Sequence, residues 1–487
     1  MGMGKMGMNR RSLIRGAAAV AAAGAVPKMV LAAETADVVV VGGGLAGLNA
    51  ALNLVDSGVR VVVLEASGRV GGRCYTADEA PGRPEYGASQ LGASYARVLD
   101  VCRRFNVALG PGANINAPMT YYLGGQNVTA KGWAASALNR TVGEEREVLP
   151  QALSGYFLRK HGQFEAPEDW LATEALALDV PYRKWLQAKG ASDAAIRIIN
   201  SGLVDPDVDN VSALALMHEH AYALSEMDSF GDKTLDRFEA YAKISQHVVE
   251  GTSRVPEAMA RHLGDAVRMK APVAGVDMDA SGATVTCVDG RVFRAGFVVM
   301  AVPFQAMRKI RITPALQGDI GKAVKGLAYQ RQSQVFFHLQ GAPYWEQDGL
   351  DASFWSDGPI TLVRQQIGYE GERELVTTLA FGDKATRLDR MPKAERARWV
   401  MEHISTLRPS MKGKLVPIAV QSWEEQPFIN GCRHSFRPGQ ISDFHAAMTV
   451  PQGRMMFAGE QVRRLAIGME AAMESGEAAA IQIMEVA

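Results

Sequence analysis

The chain has 487 residues, 47% of them hydrophobic, with 52 basic against 52 acidic side chains. That length spans roughly two to three domain lengths with extensive cores, and balanced charge without a Lys/Arg run excludes an electrostatic footprint for nucleic acid. Cys74, Cys102, Cys287 and Cys432 show neither CxxC nor Cys/His spacing, so no metal site is expected, while their disulfide pairing stays open.

At the N-terminus, Asn9-Arg10-Arg11-Ser12-Leu13-Ile14-Arg15 precedes an Ala-rich apolar run over 16–26, and Leu31-Ala32-Ala33 offers a small-residue cleavage site. Residues 1–33 read as a twin-arginine export signal. The expected partner is the twin-arginine (Tat) export machinery, and the expected location is the periplasm, reached in the folded state. The apolar run is too short to span a bilayer, and no other stretch reaches membrane length.

Val38 to Val41 then read as a buried parallel strand running into Gly42-x-Gly44-x-x-Gly47. The following Leu45, Leu48, Ala51, Leu52 and Val55 keep helical spacing, so the glycines sit on a strand-to-helix turn. Glycine serves three needs there: the tight turn, close approach of backbone N–H groups to a pyrophosphate, and close packing of helix on sheet. The helix start, with Leu45 and Ala46, presents free N–H groups to the phosphates. A second strand, 59–64, ends in Glu65, a carboxylate placed to accept both ribose hydroxyls, followed by Ala66.

The next segment, Ser67-Gly68-Arg69-Val70-Gly71-Gly72-Arg73, separates FAD from a nicotinamide dinucleotide. A longer ligand runs on past this loop, where Arg69 and Arg73 can offset its charge. Here the chain resembles the flavin monoamine oxidase family, in which an E-x-x-x-R-x-G-G-R pattern follows the glycine turn.

Residues 87–110 read as a turn and a short amphipathic helix, and 111–245 as a helical, polar-rich stretch. Near Glu250 the dinucleotide domain resumes, with a turn and helix at 251–259, a strand at 271–278, a hairpin through 279–294 and a strand at 297–303. The resemblance implies that the backbone at Val273 contacts the adenine. Strands at 334–339 and 375–380 and a helix at 394–407 follow. At the C-terminus a short strand ends in Gly459-Glu460, and a helix starts near Gly468-Met469-Glu470. The resemblance implies that the acid contacts the ribityl-pyrophosphate region and that the helix start faces the flavin, where its dipole stabilises the reduced anion.

The expected fold is α/β: a Rossmann-like FAD-binding domain carrying GxGxxG, from 34–110, 246–310 and 416–487, with a discontinuous α+β substrate domain from 111–245 and 311–415. The implied activity is FAD-dependent oxidation of a C–N bond in an amine or amino-acid-like substrate to an imine, with oxygen or another acceptor reoxidising the flavin. An FAD dehydrogenase or desaturase of a non-amine substrate, and a flavin-binding accessory protein without turnover, stay open beside it. An oligomer is compatible with each.

Three positions depart from the family pattern. The lysine that holds a water near the flavin falls on Gln334, and two aromatics that cage the amine fall on Arg433 and Gly468. An amide can still orient a water, which keeps Gln334 a catalytic candidate. Arg433 would attract a substrate carboxylate, unless it turns outward to a surface acid such as Glu424 or Glu425. Cys432 matches the cysteine that bonds the flavin 8α-methyl in monoamine oxidases; the alternative is a small buried thiol. His338 reads as a packed strand residue, and His434 as facing either pocket or solvent.

Overall fold

The computed structural model describes residues 33–112, 119–202, 207–231, 243–366 and 375–486. Arg10, Arg11 and the apolar run of the expected leader lie outside them. Among the described residues no helix is long and apolar enough to cross a membrane.

Three sheets organise the chain. The first has five parallel strands in the order Met455–Phe457, Phe297–Met300, Val38–Val41, Val61–Leu64 and Val267–Arg268. Val38, Val39 and Val40 are wholly buried, as expected of a parallel sheet covered on both faces, which reads as an unbroken apolar run. Helix Leu45–Asp56 forms the first crossover. A Cβ on Gly47 would sit 2.0 Å from Gly42 O, and one on Gly476 would sit 2.2 Å from Ala46 O. Glycine at these places lets the first helix settle on the sheet and the C-terminal helix Gly468–Met484 settle on the first helix.

The second sheet orders Glu34–Thr35, Val292–Ala295, Ala283–Cys287, Val273–Met278 and Arg311–Thr313. Its central hairpin follows the predicted alternation, with a register shift between Thr286 and Cys287.

The third sheet has seven strands: Leu415–Ser422, Gln332–Leu339, Leu375–Phe381, Leu362–Gln366, Ser353–Ser356, Met119–Leu123 and Gln126–Val128. Val335, Phe337, Val363 and Val376 face Val400 and Ile404 of helix Lys393–Leu407. Side chains alternate across a strand, so Gln334 and Phe336 point to the other side.

The helical reading of 111–245 needs correction, because Met119–Leu123 and Gln126–Val128 form a hairpin on the edge of this sheet. Gly124 (φ 55°) and Gly125 (φ 82°) supply the two left-handed residues that a two-residue hairpin turn requires. Strand Leu415–Ser422, mostly within the expected 416–487 block, pairs with Gln332–Leu339, and Arg311–Thr313 pairs with Val273–Met278. The chain therefore passes between sheets after Thr313 and after Ser422.

Candidate active site

The glycine turn, Glu65 and the Gly71–Gly72 turn converge on one backbone-lined cradle. Glu65 Oε2 accepts the Gly43 N–H at 2.8 Å and Oε1 accepts the Ser67 N–H at 2.7 Å, which leaves each oxygen a further lone pair for a hydroxyl. Gly71 N–H donates to Gly43 O at 2.8 Å, and Gly44 pairs with Gly71 in an isolated bridge. A Cβ on Gly44 would meet nothing within 4 Å, and one on Gly72 only the Gly44 Cα at 3.6 Å. Gly44 caps helix Leu45–Asp56 without a side-chain acceptor, so the first-turn N–H groups at Leu45, Ala46 and Gly47 stand available to an anion. Beside Ala66, Ala271 N–H donates to Glu65 O and Lys270 N–H to Ser67 O. Val273 opens its strand two residues later.

The two arginines divide their work. The Arg69 guanidinium donates to Val70 O, Gly72 O and Cys74 O and lies 3.8 Å over the Tyr75 ring. It staples its own loop with these bonds, which fix where its positive charge stands. Arg73 Nη1 donates to Cys432 O at 2.8 Å and reaches Glu460 Oε2 at 3.3 Å, tying the first βαβ unit to the C-terminal block.

Glu460 follows Gly459 (φ 138°) at the end of strand Met455–Phe457. Its Oε2 lies 2.9 Å from His434 Nδ1, and its Oε1 is buried with no partner among the described residues. Burial alone would raise this carboxyl's pKa, but His434 and Arg73 hold it well below the carboxylate range. His434 thus belongs to the site rather than to solvent, and burial lowers its pKa against the pull of the Glu460 carboxylate. Gly468 (φ 60°) begins the last helix, and a Cβ there would meet the Tyr95 hydroxyl at 2.7 Å. Met469 packs into the core beside it. An open cradle, an uncapped helix start and an orphaned carboxylate oxygen fit an elongated dinucleotide of the FAD type.

Next to this cradle is a cavity of ≈ 200 Å³ lined by Val211, Ala215, Leu216, Glu219, Gln330, Arg433, His434, Phe436 and Arg463 among others. Arg433 turns into it, not outward. Its Nη2 donates to Glu219 Oε2 at 2.6 Å and its Nε to Gln330 Oε1 at 3.2 Å, whereas Glu425 pairs with the buried Arg396. Burial opposes ionisation of Glu219, but Arg433 and Arg463 bring its pKa down to about 2. Arg463 Nη1 holds the other Glu219 oxygen at 3.2 Å.

Arg463 and Glu219 carried no motif, and only the fold brings them together. The loop bearing Arg463 is pinned on both sides. His445, Trp170 and His218 donate ring N–H groups to the carbonyls of Arg463, Arg464 and Leu465 at 3.0, 2.6 and 2.9 Å. Glu474 accepts the N–H groups of Arg464, Leu465 and Ala466.

Gln334 is buried, with Oε1 unpartnered among the described residues, across from Gln421, whose Nε2 is also unpartnered. Gln330 touches Arg433, so Gln334 lies roughly 13 Å further along extended chain from that contact. Between the two, Cys432 Sγ donates to Gln332 Oε1 at 2.9 Å, and burial pushes the thiol pKa up to about 11. All four cysteines are free. His338 is only half-buried, near the end of its strand.

A family model described as flavin containing amine oxidoreductase matches residues 45–484. The flavin-containing amine oxidase of Danio rerio is 26% identical over 475 residues, covering 93% of this chain and 87% of the relative. Flavin-containing amine oxidase A of Bos taurus is 25% identical over 462 residues, covering 93% and 86%. Among solved structures, wild-type putrescine oxidase bound to putrescine aligns with a TM-score of 0.74 at 21% identity over 93% of this chain and 99% of that one. Cyclohexylamine oxidase from Brevibacterium oxydans IH-35A aligns with a TM-score of 0.74 at 22% identity over 92% and 99%.

Proposed function

Because the chain belongs to the flavin-containing amine oxidoreductases and, as such, is an FAD-dependent oxidoreductase, we propose that it oxidises the C–N bond of an amine or amino-acid-like substrate to an imine. Bound FAD supplies the two-electron acceptor, regenerated by oxygen or another oxidant. The observation that carries the reading is the position of His434, which lines the cavity while its Nδ1 reaches Glu460 on the cradle side. A substrate in the cavity and a flavin in the cradle would then be neighbours.

In this reading Gly42, Gly44, Gly47, Gly71 and Gly72 shape the cradle, and Glu65 receives the ribose hydroxyls. Arg69 and Ala66 support it from their loop, and Val273 lies by the adenine. Glu460 would contact the ribityl-pyrophosphate region through its free Oε1, and Gly468 and Met469 start the helix that would face the flavin. Gln334 would orient a water near the flavin, its unpartnered Oε1 being the acceptor. Cys432 would lie by the dimethylbenzene edge. The parallel and hairpin sheets form the FAD domain and the seven-stranded sheet the substrate domain. Arg10-Arg11 and the apolar run that follows support export by the twin-arginine route to the periplasm.

Anaerobic mixing of holoenzyme with a panel of amines and amino acids tests the activity. Bleaching of the visible flavin band by at least one amine-bearing compound is expected. Bleaching only by compounds without nitrogen would replace the amine reading with a dehydrogenase of another substrate. Hydrogen peroxide released in air identifies oxygen as the acceptor.

A further inference from the structure

We infer that Arg463 receives a substrate carboxylate in the cavity, which makes the substrate an amine that carries a carboxylate, with apolar α-amino acids the first class. The inference rests on the amine-oxidising reading for its chemistry, and on Arg463 itself for its site.

Arg433 is the obvious cation, but its Nη2 and Nε are held by Glu219 and Gln330 and its side chain is 36% exposed, so water can serve the rest of it. Arg463 is different. Its side chain is 2% exposed, only its Nη1 reaches Glu219, and its Nε is buried without a partner among the described residues. Two guanidiniums therefore share one carboxylate, while the neighbouring Glu460 is engaged by Arg73 and His434. The cavity keeps one positive charge in excess. A buried guanidinium short of acceptors is costly, and a carboxylate supplies both the charge and the acceptor oxygens that it lacks.

The side chain is also aimed. Its guanidinium lies 5.6 Å from the Trp170 ring and 6.0 Å from Phe436, and the pinned 463–466 loop prevents it from reaching to solvent. Val211, Ala215, Leu216 and Phe436 give the same cavity an apolar wall, suited to a hydrocarbon side chain. An ammonium at this end would meet two guanidiniums, so a diamine is disfavoured.

The test uses holoenzyme and matched ligands: phenylalanine against phenethylamine, and leucine against isoamylamine, by anaerobic flavin bleaching. Binding of 3-phenylpropionate, which has the carboxylate but no amine to oxidise, is read by calorimetry. The amino acids are expected to bleach the flavin more efficiently than the matched amines. Arg463→Met should weaken 3-phenylpropionate by roughly 30-fold or more, and Arg463→Lys should restore part of the loss because charge returns without the fork. If Arg463→Met loses flavin, the wild-type and Arg463→Lys measurements still decide. Bleaching by the simple amines with no binding of 3-phenylpropionate overturns this inference and leaves amine oxidation standing. Carboxylate binding that depends on Arg463, with no bleaching by any amine or amino acid, upholds the site and overturns the amine reading.

Discussion

Glu65 accepts two backbone N–H groups that shape the cradle in addition to any ribose hydroxyl. Glu65→Ala should therefore weaken FAD retention about tenfold to a hundredfold, since a hydrogen bond to a charged acceptor contributes about 1.5 to 3 kcal/mol. The flavin-to-protein ratio after dilution measures it; an unchanged ratio would remove Glu65 from the cofactor site. Cys432 makes a sharper case. Its thiol is held protonated by burial and gives its hydrogen to Gln332, and a protonated thiol is a poor nucleophile. Acid precipitation should leave the flavin in the supernatant, and flavin in the pellet would show a thioether instead.

The loop at 463–466 shows how elements far apart in sequence create a functional position. It depends on three rings acting as neutral donors. Burial, the largest influence, lowers the pKa of His218 to about 3 and of His445 to about 4. Both lie below the ordinary 6.5, so the folded state resists protonation that the unfolded chain accepts. Their contribution is complete above pH 6.5 and is lost as pH falls towards the folded values. Thermal midpoints should fall as pH drops from about 6.5 to 4, and less steeply in His218→Gln, whose amide can donate to Leu465 O without titrating. Equal slopes would show that the rings do not set the acid limit. On helix Lys393–Leu407, Arg396 is fully buried between Asp389 at 2.9 Å and Glu425 at 2.6 Å. Arg396 also donates to the carbonyls of Leu388, Asp389 and Met391, so Arg396→Met strips several acceptors of their donor at once and should cost about 3 to 5 kcal/mol in denaturant unfolding. A cost below about 1 kcal/mol would mean that the cluster is screened as a surface pair is.

At the scale of the whole molecule, export of folded holoprotein predicts that replacing Arg10 and Arg11 by Lys, which keeps charge but removes the guanidinium forks, retains the enzyme in the cytoplasm. Full periplasmic yield would show the leader to be misread. By itself the sequence determined the parallel βαβ unit, the glycine turn, Glu65 and the Gly459-Glu460 strand end. Each depends on neighbours within a few residues, on a run of buried valines, or on a backbone that only glycine permits. It also placed Arg433, Gln334 and Cys432 at positions of interest. The edge hairpin at 119–128 had a local signal in Gly124-Gly125, but its strands are short and lie in a helical context. Only the tertiary structure decided what Arg433 does. Its partner Glu219 lies 214 residues earlier in the chain, on a helix whose periodicity says nothing about charge pairing. Likewise Arg463 is an ordinary arginine in sequence, and becomes a buried guanidinium with a free edge only after Trp170, His218, His445 and Glu474 have closed around its loop. Local spacing encodes backbone shape, whereas the sharing of one carboxylate between two cations depends on the packing of distant helices, sheets and loops.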